Sequence, residues 1–287
     1  MSSTASPGVT GVTGATGHIG GLVTRGLDAA GVRQRLLVRD PSSPRVPELA
    51  SVEGVAAVDY ADLERSRAAL TGVDVLLLVS AHESPTRVRD HARVIDAAAQ
   101  AGVRHVVYTS FAGAAPDATF TLARDHHATE EHLRASGMAW TFLRDTLYLD
   151  FMEQLAGPDG VIRGPAGTGR VAAVARADVA RVATAVLLDP AAHAGATYDV
   201  TGPEPLTLVE VAATIRAVRG TSVTFHDETI EEAYASRASY GAPDWQVDAW
   251  VSTYTAIASN VMARPSGDVE RLTGVPPLSL EQLLRLG

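Results

Sequence analysis

The chain has 287 residues, 46% hydrophobic and 20% charged, which suits a sizeable buried core and excludes wholesale disorder. Its 33 acidic and 24 basic residues give a formal charge of −9, which argues against a generic nucleic-acid binder needing a basic face. Cysteine and lysine are both absent, so disulfides, thiolate nucleophiles, cysteine metal sites, Schiff bases and a Walker-type phosphate lysine are all excluded.

Residues 1–8 are small and polar, with no basic stretch leading into an apolar run, so they do not read as a secretory leader. The longest apolar run, residues 73–81, is broken by Asp74 and falls short of the ~20 residues of a membrane helix. The expectation is a soluble cytoplasmic protein with no membrane or nucleic-acid partner, present as a monomer or homodimer.

Residues 9–13 read as a first strand. Gly14, Gly17 and Gly20 follow with Gly-x-x-Gly-x-x-Gly spacing, and a helix opens near His18. Such a loop takes a dinucleotide. Gly14 permits a tight turn, Gly17 lets backbone amides approach a pyrophosphate, and Gly20 allows close packing of helix on strand. The diphosphate then meets the positive helix end at Thr16, His18 and Ile19. Gly11, inside the strand where a bulky residue would pack better, has no explanation in the sequence.

Short β-branched runs continue at residues 35–38, 54–58, 75–79, 103–109 and 140–143. Residues 75–79, Val-Leu-Leu-Leu-Val, lack alternation, as a parallel strand covered on both faces does. Residues 86–101 have helical spacing, with Val88, His91, Ile95 and Ala98 on the apolar face and Arg87, Arg89 and Asp90 outside. Gly72, Gly102 and Gly137 fall between a helix and the next strand, where left-handed backbone is needed. This alternation predicts an α/β fold, a doubly wound parallel sheet, over residues 1–155. Past residue 150 the rhythm loosens. Residues 157–160 and 164–169 read as turns or loops, 177–188 as a helix and 197–200 as a strand. Residues 207–218 read as a helix opened by Thr207 with Glu210 three residues on, and two or three helices follow. Residues 156–287 are expected to form a smaller, mainly helical substrate-binding lobe.

A dinucleotide site takes NAD with a carboxylate at the end of the second strand, and NADP with a cation there. Arg39 occupies that position, and a guanidinium suits a 2′-phosphate. Asp40 leaves an alternative open: it could bind a ribose hydroxyl or neutralise Arg39. Ser42, Ser43 and Arg45 are candidates to supplement the contact. Val79 and Ser80 end one central strand, and Thr109, Ser110 and Phe111 end another; such ends lie beside the cofactor in open α/β sheets.

The segment TGATGHIG with Val-Arg39-Asp after the second strand resembles the NmrA-like, atypical short-chain dehydrogenase/reductase group. Tyr108-Thr-Ser-Phe111, Leu122 to Glu130 and Trp140 to Phe151 sharpen the likeness to the type 2 NAD(P)H:quinone oxidoreductase and triphenylmethane reductase branch. The resemblance implies NADP(H) as cofactor and arginine at position 39. It also places Asp59 and Tyr60 at the adenine edge, with Asp59 accepting from the exocyclic amine. The other reading of Asp59 is an acidic loop before a helix capped by Asp62.

Most short-chain dehydrogenases carry a Tyr-x-x-x-Lys pair; here Leu122 and His126 stand at the corresponding positions. Ordinary alcohol–ketone exchange then lacks its proton carrier. Two readings remain. One is hydride transfer to a quinone or another conjugated acceptor that needs no strong positioned acid. The other is a non-catalytic, NADP(H)-sensing regulator. His126 is the candidate catalytic residue, holding a ribose hydroxyl or donating a proton, against a packing role in the helix. Phe111, Asp145, Tyr148, Phe151 and Trp245 are the acceptor-side candidates, and core packing is the alternative for each aromatic. Asp145 replaces an asparagine of the resembled branch; facing a cleft, its carboxylate favours a cationic or donor-bearing acceptor. The spacing of His126, His127 and His132 does not stack a ligand pair on one helix face, so no metal site is expected.

Overall fold

Residues 8–287 are described in the computed structural model; residues 1–7, which carry most of the stretch read as lacking a leader, lie outside them. The β-branched runs form β1 (Val9–Thr13), β2 (Gln34–Val38), β3 (Val52–Ala57), β4 (Val73–Leu78), β5 (His105–Phe111) and β6 (Ala139–Asp145). Three shorter strands follow, β7 (Val161–Gly164), β8 (Ala196–Val200) and β9 (Thr224–Asp227). Among the described residues they build a seven-stranded sheet, ordered β3-β2-β1-β4-β5-β6-β8, and a two-stranded sheet of β7 and β9. β1 pairs in parallel with β2 and β4, β2 with β3, and β4 with β5. The strand order reverses between β1 and β4, and open α/β sheets take their ligands outside the carboxyl ends of strands at such a reversal.

The helices are α1 (His18–Ala29), α2 (Leu63–Leu70), α3 (Arg87–Ala101), α4 (Thr121–Ala135), α5 (Leu149–Met152) and α6 (Arg176–Leu188). They continue with α7 (Leu208–Arg219), α8 (Ile230–Arg237), α9 (Asp244–Ala258), α10 (Asp268–Thr273) and α11 (Leu280–Leu286). Gly72, Gly102 and Gly137 all take left-handed backbone, with φ of 83°, 85° and 80°. Thr207 accepts from the Glu210 N–H and Glu210 reaches back to Thr207, the reciprocal cap expected of that pair.

The chain divides into two compact units that interleave along the sequence. The first holds the described residues up to Ser110, with His127–Leu143 and Val179–Tyr198. Its core joins Val9, Leu37, Leu70, Leu76, Leu78, Ile95, Tyr108, Leu133 and Phe142. The second holds Phe111–His126, Arg144–Asp178 and Asp199–Gly287, around a core of Phe111, Leu149, Met152, Ile162, Leu208, Ile215, Tyr254 and Ile257.

Four expectations need correction. A Cβ on Gly11 would lie 2.9 Å from Val73 Cγ1 and 3.1 Å from Leu37 Cδ1, so side chains of the neighbouring strands already fill the space a bulky residue was expected to use. On α3 the buried stripe runs through Arg87, His91, Val94, Ile95 and Ala98, while Val88 is exposed. Residues 87, 91, 94 and 98 share one face at helical spacing, and Val88 is turned off it. Gly164 closes β7 instead of opening a loop, and β9 was not foreseen. After residue 218 the chain forms four α-helices, α8 to α11, beyond the two or three expected.

Candidate functional site

The loop after β1 explains its own glycines. Gly14 sits at φ 64°, a left-handed conformation that favours glycine, and its N-terminal neighbour Thr13 ends the strand. The Gly17 N–H donates to the Gly14 carbonyl at 2.9 Å, closing the turn. A Cβ on Gly20 would stand 2.5 Å from the Gly14 carbonyl carbon and 2.8 Å from the Thr13 carbonyl oxygen, with the Gly14 oxygen closer still. Only glycine there lets α1 rest directly on the end of β1. No side chain caps the first turn of α1, which also lacks an acidic residue. Its amide dipoles therefore face outward beside exposed Gly14, Gly17 and His18, with Thr16 half-buried and Ile19 buried beneath. This cradle, whose close approach a Cβ would abolish, fits a diphosphate.

Arg39, just past β2, is exposed and makes no hydrogen bond or ion pair among the described residues. Asp40 does not neutralise it: its Oδ1 accepts from the Ser42 N–H at 2.9 Å and the Ser42 hydroxyl at 2.6 Å, and these bonds lower its pKa. Ser43 accepts weakly from the Arg45 N–H at 3.4 Å. Asp59 is exposed and accepts from the Ala61 N–H at 2.9 Å, while Asp62 caps α2 as foreseen. Burial pushes the Tyr60 phenol up to about 12, offset in part by its hydrogen bond with Thr13 and by the Arg39 charge. Tyr60 as a whole is half-buried, with its hydroxyl bonded to Thr13 of β1.

The ends of β4 and β5 are tied down amide by amide. The Val79 N–H donates to Thr13 Oγ1 at 2.9 Å, the Ser80 N–H to Thr109 Oγ1 at 2.8 Å, and the Ala81 N–H to His91 Nε2 at 2.9 Å. Because His91 Nε2 accepts, Nδ1 carries the proton and donates to Thr129 Oγ1 at 3.0 Å. Burial, helped by the Arg87 charge, pushes this imidazole down to about 3, so it is neutral. His91 joins α3, α4 and the loop after β4; as a polar ring at an apolar helix position it was legible as something needing partners, though not which. Ser110 donates to Glu130 Oε1 at 2.6 Å, both side chains fully buried, and Arg134 reaches Glu130 Oε2 at 3.2 Å. Arg134 also lies over the Trp140 and Phe142 rings, at 5.1 and 4.8 Å from their centroids.

In the second unit Phe111 stands with its ring 4.9 Å from Phe120 and 5.9 Å from His126. His126 and Leu122 are both buried. Asp145 is 3% exposed and accepts from the Tyr148 hydroxyl at 2.7 Å. One oxygen of its carboxylate is thereby held by an internal bond. The Tyr148 ring is covered by Arg176, whose Cζ lies 5.0 Å from the ring centroid. Phe151 is exposed, Trp245 is half-buried in the first turn of α9, and neither makes a ring contact among the described residues. His132 reaches the exposed Asp96 at 2.7 Å.

A glycine cradle at the reversal of a sheet ordered 3-2-1-4-5-6 is the arrangement of dinucleotide-binding folds. A family model described as NAD(P)H-binding matches residues 14–190. The chain belongs to the NAD(P)H-binding family. It is 33% identical over 261 residues to NAD(P)H azoreductase of Xenophilus azovorans, covering 90% of each chain. To quinone oxidoreductase 2 of Escherichia coli it is 31% identical over 249 residues, covering 86% of each. Among solved structures, an NADPH complex of the NADPH-dependent quinone oxidoreductase of Escherichia coli superposes with a TM-score of 0.87 at 31% identity, over 96% of this chain and 99% of that one. Triphenylmethane reductase of Citrobacter sp. complexed with NADP(H) does so with a TM-score of 0.84 at 31% identity, over 96% and 99%. Within this NAD(P)H-binding family the parallel sheet of the first unit is Rossmann-like, as the strand alternation predicted.

Proposed function

We propose that this oxidoreductase of the NAD(P)H-binding family passes a hydride from NADPH to a quinone or another flat conjugated acceptor. The reading is supported by Leu122 and His126, both buried, which the family resemblance sets where a phenol and an amine would drive alcohol–ketone exchange. Named relatives acting on azo compounds, quinones and triphenylmethane dyes support the same acceptor class.

NADPH, when bound, supplies the hydride. Gly14, Thr16, Gly17, His18 and Ile19 would hold its diphosphate through backbone amides, and Arg39, free of any internal ion pair, its 2′-phosphate. Asp59 and Tyr60 would border the adenine, and Val79, Ser80, Thr109 and Ser110 the strand-end floor. The amides of Val79 and Ser80 and the Thr109 hydroxyl are already engaged, so these residues act as a rigid floor. His126 would hold a ribose hydroxyl or give up a proton. On the acceptor side Phe111, Tyr148, Phe151 and Trp245 would border the conjugated ring, and Asp145 accepts from the Tyr148 phenol. A conjugated acceptor spreads the charge it gains and takes its proton from water, so catalysis reduces to orienting two flat rings at attack distance.

The test incubates the purified chain with NADPH and a panel of benzoquinones and naphthoquinones while following nicotinamide absorbance. Consumption that depends on the quinone is the expected result. Tight NADPH binding with no consumption against any acceptor would overturn the proposal in favour of a dinucleotide-sensing regulator.

A further inference from the structure

Arg176, like Arg39, carries a charge that no ion pair among the described residues claims. It begins α6, and its position is set by the backbone. Tyr148 and Val174 form a parallel bridge, with the Leu149 N–H donating to Val174 O at 2.9 Å and the Val174 N–H to Leu147 O at 2.9 Å. The Thr146 hydroxyl adds a bond to Ala172 O at 2.8 Å. Residues 146–149 and 172–174 are thus zipped together, and Arg176, two residues beyond the bridge, lays its guanidinium over the Tyr148 ring.

Asp150 touches the Arg176 backbone and Asp145 the Tyr148 hydroxyl, and each carboxylate is engaged there. Asp150 Oδ2 accepts from the Arg176 backbone N–H at 2.8 Å, capping α6, and leaves the guanidinium unpaired. Asp145 is buried and engaged by the Tyr148 hydroxyl. Among the described residues the Arg176 guanidinium makes no ion pair and no side-chain hydrogen bond, yet it is half-buried on an aromatic platform. A guanidinium stacked in this way keeps its donor edge in one plane, which suits a carboxylate, sulfonate or phosphate. Held against a ring and partly withdrawn from water, it attracts an anion more strongly than a mobile surface arginine would.

We infer that Arg176 is a specificity-determining residue that selects conjugated acceptors carrying an anionic group. The inference rests on Tyr148 lying at the acceptor end of the site proposed above, and it reverses the cationic preference that Asp145 suggests from sequence alone. Arg176 binds the anionic substituent, and the Tyr148 ring beneath it holds the guanidinium in place. No bond is made or broken at Arg176.

Two measurements test it. The first compares kcat/KM for a naphthoquinone sulfonate, the uncharged parent quinone and a trimethylammonium analogue, in the native chain, R176Q and R176K. The expected result is a sulfonate-over-parent preference that falls about tenfold in R176Q and is partly restored in R176K. An unchanged ratio, or a native preference for the trimethylammonium compound, overturns the inference. The second measures calorimetric binding of a redox-inert naphthalene sulfonate to the NADP-loaded chain, a readout that needs no turnover. Binding weakened about tenfold in R176Q supports the inference even if no quinone is reduced; equal binding in both chains refutes it, and the quinone panel still judges the reductase reading separately. NADPH affinity measured alongside separates loss of the anion contact from loss of the fold.

Discussion

Replacing Gly20 with alanine tests whether the dinucleotide cradle depends on direct contact between helix and strand. In a helix interior alanine is favoured over glycine by about 1 kcal/mol, so propensity alone predicts a more stable chain. The structure predicts the opposite. The new methyl would stand 2.5 Å from the Gly14 carbonyl carbon and 2.8 Å from the Thr13 carbonyl oxygen, where ordinary contact begins at 3.4 Å. Both neighbours are backbone, so no side chain can rotate aside and α1 itself must lift off β1. Overpacking of this kind costs roughly 1–3 kcal/mol, and with rigid neighbours the upper end applies. Against the gain in propensity the net loss is about 2 kcal/mol. For a chain of 287 residues that corresponds to a fall in Tm of roughly 3 °C. Lifting α1 also moves its first-turn amides away from the diphosphate, so calorimetry should show weaker binding of NADPH and NADH alike. Gly54→Ala, where a Cβ meets nothing within 4 Å, serves as the control. A Gly20→Ala chain that melts at or above the native temperature and binds NADPH normally would refute the reasoning.

Arg39→Ala should weaken NADPH about tenfold more than NADH, since a charged contact to an exposed phosphate lies at the low end of its range; equal loss for both nucleotides in a binding titration would contradict the assignment. His91 is neutral when folded and titrates near 6.5 when unfolded, so the unfolded chain binds the extra proton below that value and stability declines as pH falls from 6.5 toward about 3. The slope reaches ~1.4 kcal/mol per pH unit, and His91→Gln should flatten it; denaturant midpoints at neutral and mildly acid pH that shift equally in both chains would count against this. Ser110→Ala removes the hydroxyl from a fully buried Glu130 oxygen, an expected loss of about 1–3 kcal/mol. A Tm within error of the native chain would show that Glu130 finds another donor.

The parts of the molecule legible in the sequence are those fixed by short-range rules. Unalternating runs such as Val75-Leu-Leu-Leu-Val79 announce strands covered on both faces, and Gly102 announces the end of α3 because only a left-handed residue turns the chain there. β7 and β9 were missed because each has four residues, β9 is largely exposed, and what holds them is pairing between Val161 and Thr224, far apart in sequence. The glycine cradle was readable from spacing, but the reason for Gly11 was not, since it lies in the side chains of Val73 and Leu37 on other strands. What Asp145 faces was left open by the sequence, because its partner, the Tyr148 hydroxyl, becomes visible only once β6 gives way to the turn before α5. Arg176 gave no signal at all, because its contact with Tyr148 depends on the bridge between residues 148 and 174.

The interleaving of the two units bears on how the chain is made. β6 lies between β5 and β8 in the sheet, and β8 emerges from the ribosome only after β7 and α6 have been synthesised. Until then β6 presents an open row of amides and carbonyls, the kind of edge that invites pairing with another chain. A product truncated after β6 therefore carries every glycine of the cradle and still an incomplete sheet. Limited expression of such fragments should yield aggregates, whereas the full-length chain pairs β6 with Ala196–Val200 and leaves that shorter strand as the sheet's edge.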